Sequence, residues 1–297
     1  MELKHTAGRT GRLSSFLKGE MGMSTGLMNR LKWQNKLFVN GQPQHTDYTV
    51  QPGDVITAAL EDAQPEYPAE DGELHILYED AHLLAVDKPA GMLIHPSTAR
   101  ITGTLANLVA GYYRRTGQAC AFHPITRLDR DTFGIVLLAK NSHVHAKCNA
   151  LHSAGQIEKI YHALVFDGPE QAQGVIDLPI GRLPLPSLLR RVDPAGKPSV
   201  TEFQVLARED RHTLLELRPV TGRTHQLRVH CAHMGYPILG DPQYGSEASQ
   251  EYSRQLGLES QLLCAKSLRL PHPITGEMLH LESAMRAVPG GELPLTI

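Results

Sequence analysis

The chain has 297 residues, 41% hydrophobic and 20% charged, enough apolar material for about two packed domains, which excludes a disordered polymer. Lys+Arg 29 against Asp+Glu 31 gives a net charge of -2 and a pI near 6.8. That balance excludes a protein binding nucleic acid through overall basicity, whose domains usually exceed a pI of about 9, but leaves room for a local basic face. Cys120, Cys148, Cys231 and Cys264 form no Cys-x-x-Cys pair, Met1 to Thr10 holds no apolar signal segment, and no apolar run nears the roughly 18 residues of a membrane span. The expectation is a soluble cytoplasmic protein with no disulfide framework, no metal and no membrane contact, monomeric in the absence of an obvious dimer helix.

Residues 1–60 are locally basic and read as two helices followed by small strands. Leu13, Phe16 and Leu17 recur at helical spacing, and Ser24 or Thr25 caps a second helix carrying Leu27, Met28 and Leu31 on one face. Arg30, Lys32 and Lys36 cluster at its end, a pattern that by itself describes a solvated helix face. Lys36–Gly41 is a short strand closed by the turn Asn40-Gly41, and Pro52-Gly53-Asp54 turns into the strand Val55-Ile56-Thr57. Residues 61–73 hold only acidic charge, with Pro65 and Pro68 and no apolar period, and mark a linker ahead of a second domain over 74–297.

Arg12-Leu13, Ser24 before a helix, Leu37-Phe38-Val39-Asn40-Gly41 and Pro52-Gly53-Asp54-Val55-Ile56 together resemble an S4 domain, a small α/β RNA-binding module. Asn35 stands where that family often has Gly, and Asn also tolerates the left-handed conformation. The resemblance implies RNA contacts from Arg12, Arg30, Lys32 and Lys36.

Within 74–297, strand-like runs mix with short helices, an α+β pattern. Leu74–Tyr78 and His82–Asp87 flank a turn at Glu79-Asp80, and Lys88-Pro89-Ala90-Gly91 breaks the second run. The polar cluster Arg127-Leu128-Asp129-Arg130-Asp131-Thr132-Phe133-Gly134 enters the buried-strand run Ile135–Lys140, a rigid support on which chemistry is often held. A helix capped by Asn141 or Ser142 follows, with Val144, Cys148 and Leu151 on one stripe. Next comes the strand Lys159–Phe166, whose Tyr161 shares a face with Lys159, Ala163 and Val165. Leu217–Pro219 ends a strand, Gly222 turns, and Thr224 caps a helix carrying Leu227, Cys231 and Met234 that Gly235 stops.

Arg127-Leu128-Asp129-x-x-Thr132-x-Gly134, Lys159-x-Tyr161 and Thr221-Gly222-Arg223-Thr224-His225-Gln226-Leu227-Arg228-Val229-His230 occur in that order. Val86–Gly91 and His95-Pro96 precede them, and Leu268–Pro273 follows. The ordered set resembles the RluA-type RNA pseudouridine synthases over essentially the whole chain. It departs from their pattern at Thr126, Phe133 and Cys264, none of them a catalytic position.

The resemblance implies a catalytic domain with a mixed, largely antiparallel sheet flanked by helices around an RNA cleft. It implies Asp129 as nucleophile, Tyr161 as the active-site tyrosine and Arg223 as the basic partner of Asp129. RNA contacts would come from Arg127, Arg130, Lys159, Leu227 and Arg228, with further phosphate contacts from Arg190 and Arg191. The partner is ribosomal or transfer RNA, and no cofactor is needed, because the reaction exchanges an N1–C1′ bond for C5–C1′ without redox or phosphoryl transfer. Carboxylates suit covalent catalysis at a glycosidic centre, and the resemblance leaves both attack on the sugar and attack on the base open for Asp129. A phenol is about 0.1% ionised at pH 7, so Tyr161 is expected to position the base rather than act as one. Three rivals remain: a non-catalytic RNA-binding or ribosome-assembly protein on the same fold; a His-based hydrolase, for which no Gly-x-Ser-x-Gly elbow exists; and a metal site at His230/His233, which has no acidic partner after it.

Overall fold

The computed structural model describes residues 2–60, 67–98, 100–184 and 186–285. The first unit runs β1 (Glu2–Thr6), β2 (Gly11–Arg12), α1 (Leu13–Lys18), α2 (Thr25–Trp33), β3 (Leu37–Val39), β4 (Gln42–Pro43), β5 (Thr49–Val50) and β6 (Val55–Ala59). Leu13, Phe16 and Leu17 of α1 and Leu27, Met28 and Leu31 of α2 close a core of their own against Leu37 and Ile56. Ser24 caps α2 by accepting from Leu27 N, and Asn40-Gly41 turns with φ of 48° and 78°, as a tight hairpin requires. Asn35 sits at φ 55°, in the left-handed region. The expected order of helix, helix, then strands needs correction, because β1 precedes both helices and pairs antiparallel with β6. Only Leu3 of β1 is buried, so the strand carries no apolar alternation and is held by its backbone partners.

Of the expected linker 61–73, residues 61–66 lie outside the described residues. The remainder packs along α3 (Leu105–Arg115): both Glu70 carboxylate oxygens accept from Gly103 N, and Asp71 pairs with Arg114 and Arg115. The acidic charge here neutralises the basic end of a helix.

The second unit continues β7 (His75–Glu79), β8 (Leu83–Lys88), α3, β9 (His123–Pro124), β10 (Phe133–Ala139), α4 (Ser142–Ser153), β11 (Glu158–Phe166), β12 (Gln173–Asp177), β13 (Ile180–Arg182) and β14 (Arg190–Val192). It ends with β15 (Val200–Glu209), β16 (His212–Pro219), α5 (Gln226–His233), α6 (Glu247–Gln255), β17 (Leu263–Pro271) and β18 (Met278–Glu282). Ten strands form one sheet in the order β12-β15-β16-β11-β17-β10-β8-β7, with β18 on β17 and β9 on β10. Every pairing in it is antiparallel except β10 with β17, so the sheet is mixed and largely antiparallel, flanked by helices. The apolar runs of β8 and β10 are buried on both faces, which is why they read as unbroken rather than alternating.

The register of this sheet brings the motifs together. Gly134 on β10 and Tyr161 on β11 both lie opposite Ala265 of β17, from its two sides, and Tyr161 lies opposite Leu217 of β16. One row therefore carries the exit of the Arg127–Gly134 segment, the tyrosine strand, and the strand that feeds α5. A bulge between Ile160 and Tyr161, with Lys266 as the extra residue on β17, re-aims the strand at this point. Gly134 holds φ +102°, and a Cβ there would meet Ala265 O at 2.4 Å, so only glycine fits.

Candidate active site

Asp129 lies in the turn before β10, closed by Thr132 N donating to Asp129 O at 3.2 Å, while the Thr132 hydroxyl accepts from Gln261 Nε2 at 2.7 Å. Beneath the loop, Lys88 is fully buried, and its Nζ donates to Pro89 O (2.8 Å), Met92 O (2.9 Å) and Arg130 O (2.8 Å). Burial pushes Lys88 down to about 7, opposed by the charges of Asp131 and Asp129. Three carbonyl acceptors need three N–H groups, which only the ammonium form supplies. Lys88 thus ties the end of β8 to the residue after Asp129.

The partner of Asp129 is Arg228. Its Nη1 donates to Asp129 Oδ2 at 3.1 Å, while Nε and Nη2 fork onto Asp241 at 2.7 and 2.9 Å and Nη2 also reaches Gln243 Oε1 at 2.8 Å. Asp241 is 1% exposed at the side chain and Arg228 5%, so the guanidinium is fixed from behind and offers one free edge to Asp129. The ring of Tyr244 lies 4.9 Å from the guanidinium carbon. Every described side-chain hydrogen bond of the Asp129 carboxylate falls on Oδ2, and among the described residues none reaches Oδ1.

Two sequence expectations are corrected here. Arg223 does not pair with Asp129: it is exposed and its Nε donates to Pro198 O at 3.1 Å. Arg228 does not stand on the surface as a phosphate contact would: it is buried and makes four hydrogen bonds, to Asp241, Gln243 and Asp129. The reason is where α5 begins. Its N-cap is His225, at φ 58°, not Thr224. Gln226 reaches back to accept from Arg223 N at 3.0 Å and anchors itself by donating to Val200 O and Thr201 Oγ1. The helix thus starts after Arg223, leaving that side chain outside and turning Arg228 inward.

Tyr161 lies half-buried against the core that contains Leu227, Ala163 and Leu217. Burial raises its phenol above the ordinary value and the charge of Asp129 adds to that, so the group stays protonated. Leu227 is 7% exposed and serves as a core residue beside Tyr161 at the cleft wall. Arg127 is exposed on the cleft, Arg130 is tied bidentately to Asp131 at 2.9 and 2.8 Å, and Lys159 Nζ is 3.0 Å from His152 Nε2. The cleft that joins these groups has a volume of about 2050 Å³, and basic side chains on its wall outnumber acidic ones nine to four. A chain of nearly neutral net charge therefore presents a net cationic groove around Asp129.

Arg12 and Arg30 are exposed on the first unit, with Lys32 and Lys36 half-exposed. Arg191 pairs with Asp193 at 3.2 Å. His230, weighed as a metal ligand, engages both ring nitrogens, with Thr201 Oγ1 at 3.0 Å and Leu178 O at 2.9 Å. Sequence reasoning did not find Lys88, His225, Asp241, Gln243 or Tyr244 as site residues. Among them, Lys88 at the end of the apolar run of β8 and His225 inside the motif Thr221–His230 carried a local signal.

The sequence profile of a family described as RNA pseudouridylate synthase matches residues 82–233. The chain is 39% identical over 238 residues to the ribosomal large subunit pseudouridine synthase D of Pseudomonas aeruginosa, covering 78% of this chain and 74% of that protein. It is 31% identical over 288 residues to the ribosomal large subunit pseudouridine synthase C of Vibrio cholerae, covering 93% and 90% respectively. Among solved structures, human RNA pseudouridylate synthase domain containing 1 superposes with a TM-score of 0.61 at 26% identity, covering 73% of this chain and 86% of that one.

Proposed function

The chain belongs to the RNA pseudouridylate synthase family and isomerises uridine in RNA to pseudouridine; we propose that it does so with Asp129 as nucleophile, on ribosomal RNA. The observation that carries this reading is the asymmetry of the carboxylate, with Oδ2 held by Arg228 and Oδ1 left open in a cationic cleft. Oδ1 forms a bond to C1′ as the N1–C1′ electron pair leaves onto the uracil ring. The base then turns and C5 attacks C1′, returning the electron pair to the carboxylate. The C5 proton departs and N1 gains one from solvent, so composition and oxidation state are unchanged. Tyr161, protonated and packed beside the cleft wall, stacks on the base during its turn.

The target uridine must leave its stack, which costs a few kcal/mol and least in loops. Arg127, Arg130, Lys159, Arg190 and Arg223 on the cleft supply compensating phosphate contacts. The first unit acts as an S4-like second grip through Arg12, Arg30, Lys32 and Lys36. The ribosomal choice, over transfer RNA, is supported by the names of the relatives. A monomer working in the cytoplasm belongs to the same reading; four free thiols fit a reducing compartment.

The test is carbodiimide mapping of pseudouridine in all cellular RNA, with wild-type protein against Asp129→Asn. Loss of discrete sites in the variant, with RNA binding retained by the purified protein, is the expected result. A variant as active as wild type would remove Asp129 from the chemistry, and a wild-type protein that binds RNA without making any site would be a binding protein on a synthase fold.

A further inference from the structure

Among the described residues, His225 is the one non-glycine cleft residue in a left-handed backbone conformation, at φ 58°. Non-glycine residues in that conformation are uncommon, and such positions cluster at active sites and ligand clamps. Its ring is held by a chain of donors. The backbone N–H of Arg190 donates to Tyr244 Oη at 2.9 Å, and Tyr244 Oη is 2.7 Å from His225 Nδ1. The Tyr244 oxygen accepts from Arg190, and its hydrogen goes to Nδ1, the acceptor in reach among the described residues. The proton of the neutral ring then sits on Nε2. Burial holds His225 below the ordinary histidine range, against the pull of Asp129, which keeps the ring neutral near pH 7.

Nε2 faces Asp129 Oδ2 at 3.9 Å. That is too far for a direct hydrogen bond, yet one atom can lie about 2.9 Å from both. The cleft therefore offers a donor and an acceptor to a single site, and the group of a nucleotide within an RNA chain that accepts and donates at one sugar atom is the 2′-hydroxyl. With Oδ1 of the same carboxylate at C1′, Oδ2 is within reach of the substituent on the neighbouring ribose carbon.

We propose that His225, oriented by Tyr244, is a positioning residue that together with Asp129 Oδ2 reads the 2′-hydroxyl of the target nucleotide. This rests on the reading that the cleft holds that nucleotide with its C1′ at Oδ1. The hydroxyl donates to Oδ2 and accepts from Nε2–H, which fixes the sugar while the base leaves and turns. It also makes the site selective for RNA at the reacting residue itself, independently of phosphate contacts elsewhere.

The experiment uses a stem–loop RNA spanning the uridine that the map identifies, with ribose, 2′-deoxyribose or 2′-fluororibose at that nucleotide. Binding constants and single-turnover release of tritium from C5 are measured for wild type, His225→Asn, His225→Gly and Tyr244→Phe. Asn and Gly tolerate the left-handed backbone, and Phe keeps the ring under Arg228, so the fold is retained. On the ribose RNA both His225 variants are expected to bind about tenfold more weakly and Tyr244→Phe about threefold. On the 2′-deoxy and 2′-fluoro RNAs, wild type drops to the level of the His225 variants and substitution brings no further loss. Losses of equal size on all three RNAs, as contact with a uracil edge would give, overturn the inference, and so does the absence of any loss. Wild-type tritium release on the ribose RNA is read first, so failure of the reaction itself is distinguished from failure of the hydroxyl contact.

Discussion

Replacing Arg228 by Lys keeps the charge and removes the fork. Arg228 makes two bonds to Asp241, one to Gln243 and one to Asp129, at 2.7 to 3.1 Å. A lysine ammonium is a point charge that cannot grip Asp241 with two N–H groups and still reach Asp129. Losing two charge-assisted bonds at about 1.5–3 kcal/mol each, with part recovered because the charge persists, gives a destabilisation of about 3 kcal/mol. Asp129 also loses its orientation, and displacement of a reacting group by about 1 Å costs on the order of 100-fold in rate. Urea unfolding and single-turnover tritium release from C5-labelled RNA read the two effects separately. Arg223→Lys is the internal control: exposed, with one bond to a backbone carbonyl, it should change stability by less than about 0.5 kcal/mol and kcat by less than about threefold. If Arg223→Lys costs more in kcat than Arg228→Lys, or Arg228→Lys matches wild type in both assays, the orientation argument is refuted.

Gly134→Ala should destabilise by about 3 kcal/mol or more, since it adds a Cβ 2.4 Å from Ala265 O at φ +102°; a Tm within a degree of wild type would contradict the sheet register. His143 is 4% exposed, and burial pushes it down to about 4 from 6.5. Its neutral form is the one that folds, so its contribution is complete above about pH 6.5 and is lost as pH falls toward 4, up to about 3 kcal/mol. His143→Leu should flatten that part of the stability–pH curve, and an unchanged slope would assign acid loss to other groups. Changing Arg12, Arg30 and Lys32 together to Gln should lower the slope of log affinity against log salt by about 2 with kcat unchanged; an unaltered slope would take the first unit out of RNA binding.

Much of the architecture was legible because its cause is local. The unbroken apolar runs of β8 and β10, the Asn141 cap of α4 and the Asn40-Gly41 turn each depend on a few consecutive residues. Asp129 and Tyr161 stood out through motif order, and the sheet register brings their strands into one row. What was not legible is non-local or set by a helix start. Gln226 anchors on Val200 and Thr201, 26 and 25 positions away, and this shifts the first turn of α5 and exchanges the places of Arg223 and Arg228. Asp241 is an unremarked acid in the sequence and becomes important only because Arg228 folds onto it. β1 was missed because a strand with one buried side chain leaves no periodic trace.

The row Gly134–Ala265–Tyr161–Leu217 separates two tasks that evolution can then vary independently. Backbone hydrogen bonds between neighbouring strands fix the spacing of Tyr161 and of the Gly134 end of the Asp129 turn, so the lengths of the other segments joining those strands do not enter it. The β13–β14 hairpin, whose Arg182, Leu188 and Arg190 stand on the cleft wall, is such a segment. It can lengthen, shorten or change sequence while the distance from carboxylate to tyrosine stays constant. A fold built this way can acquire new RNA targets by insertion and recombination in its loops, with one unaltered chemistry carried from target to target.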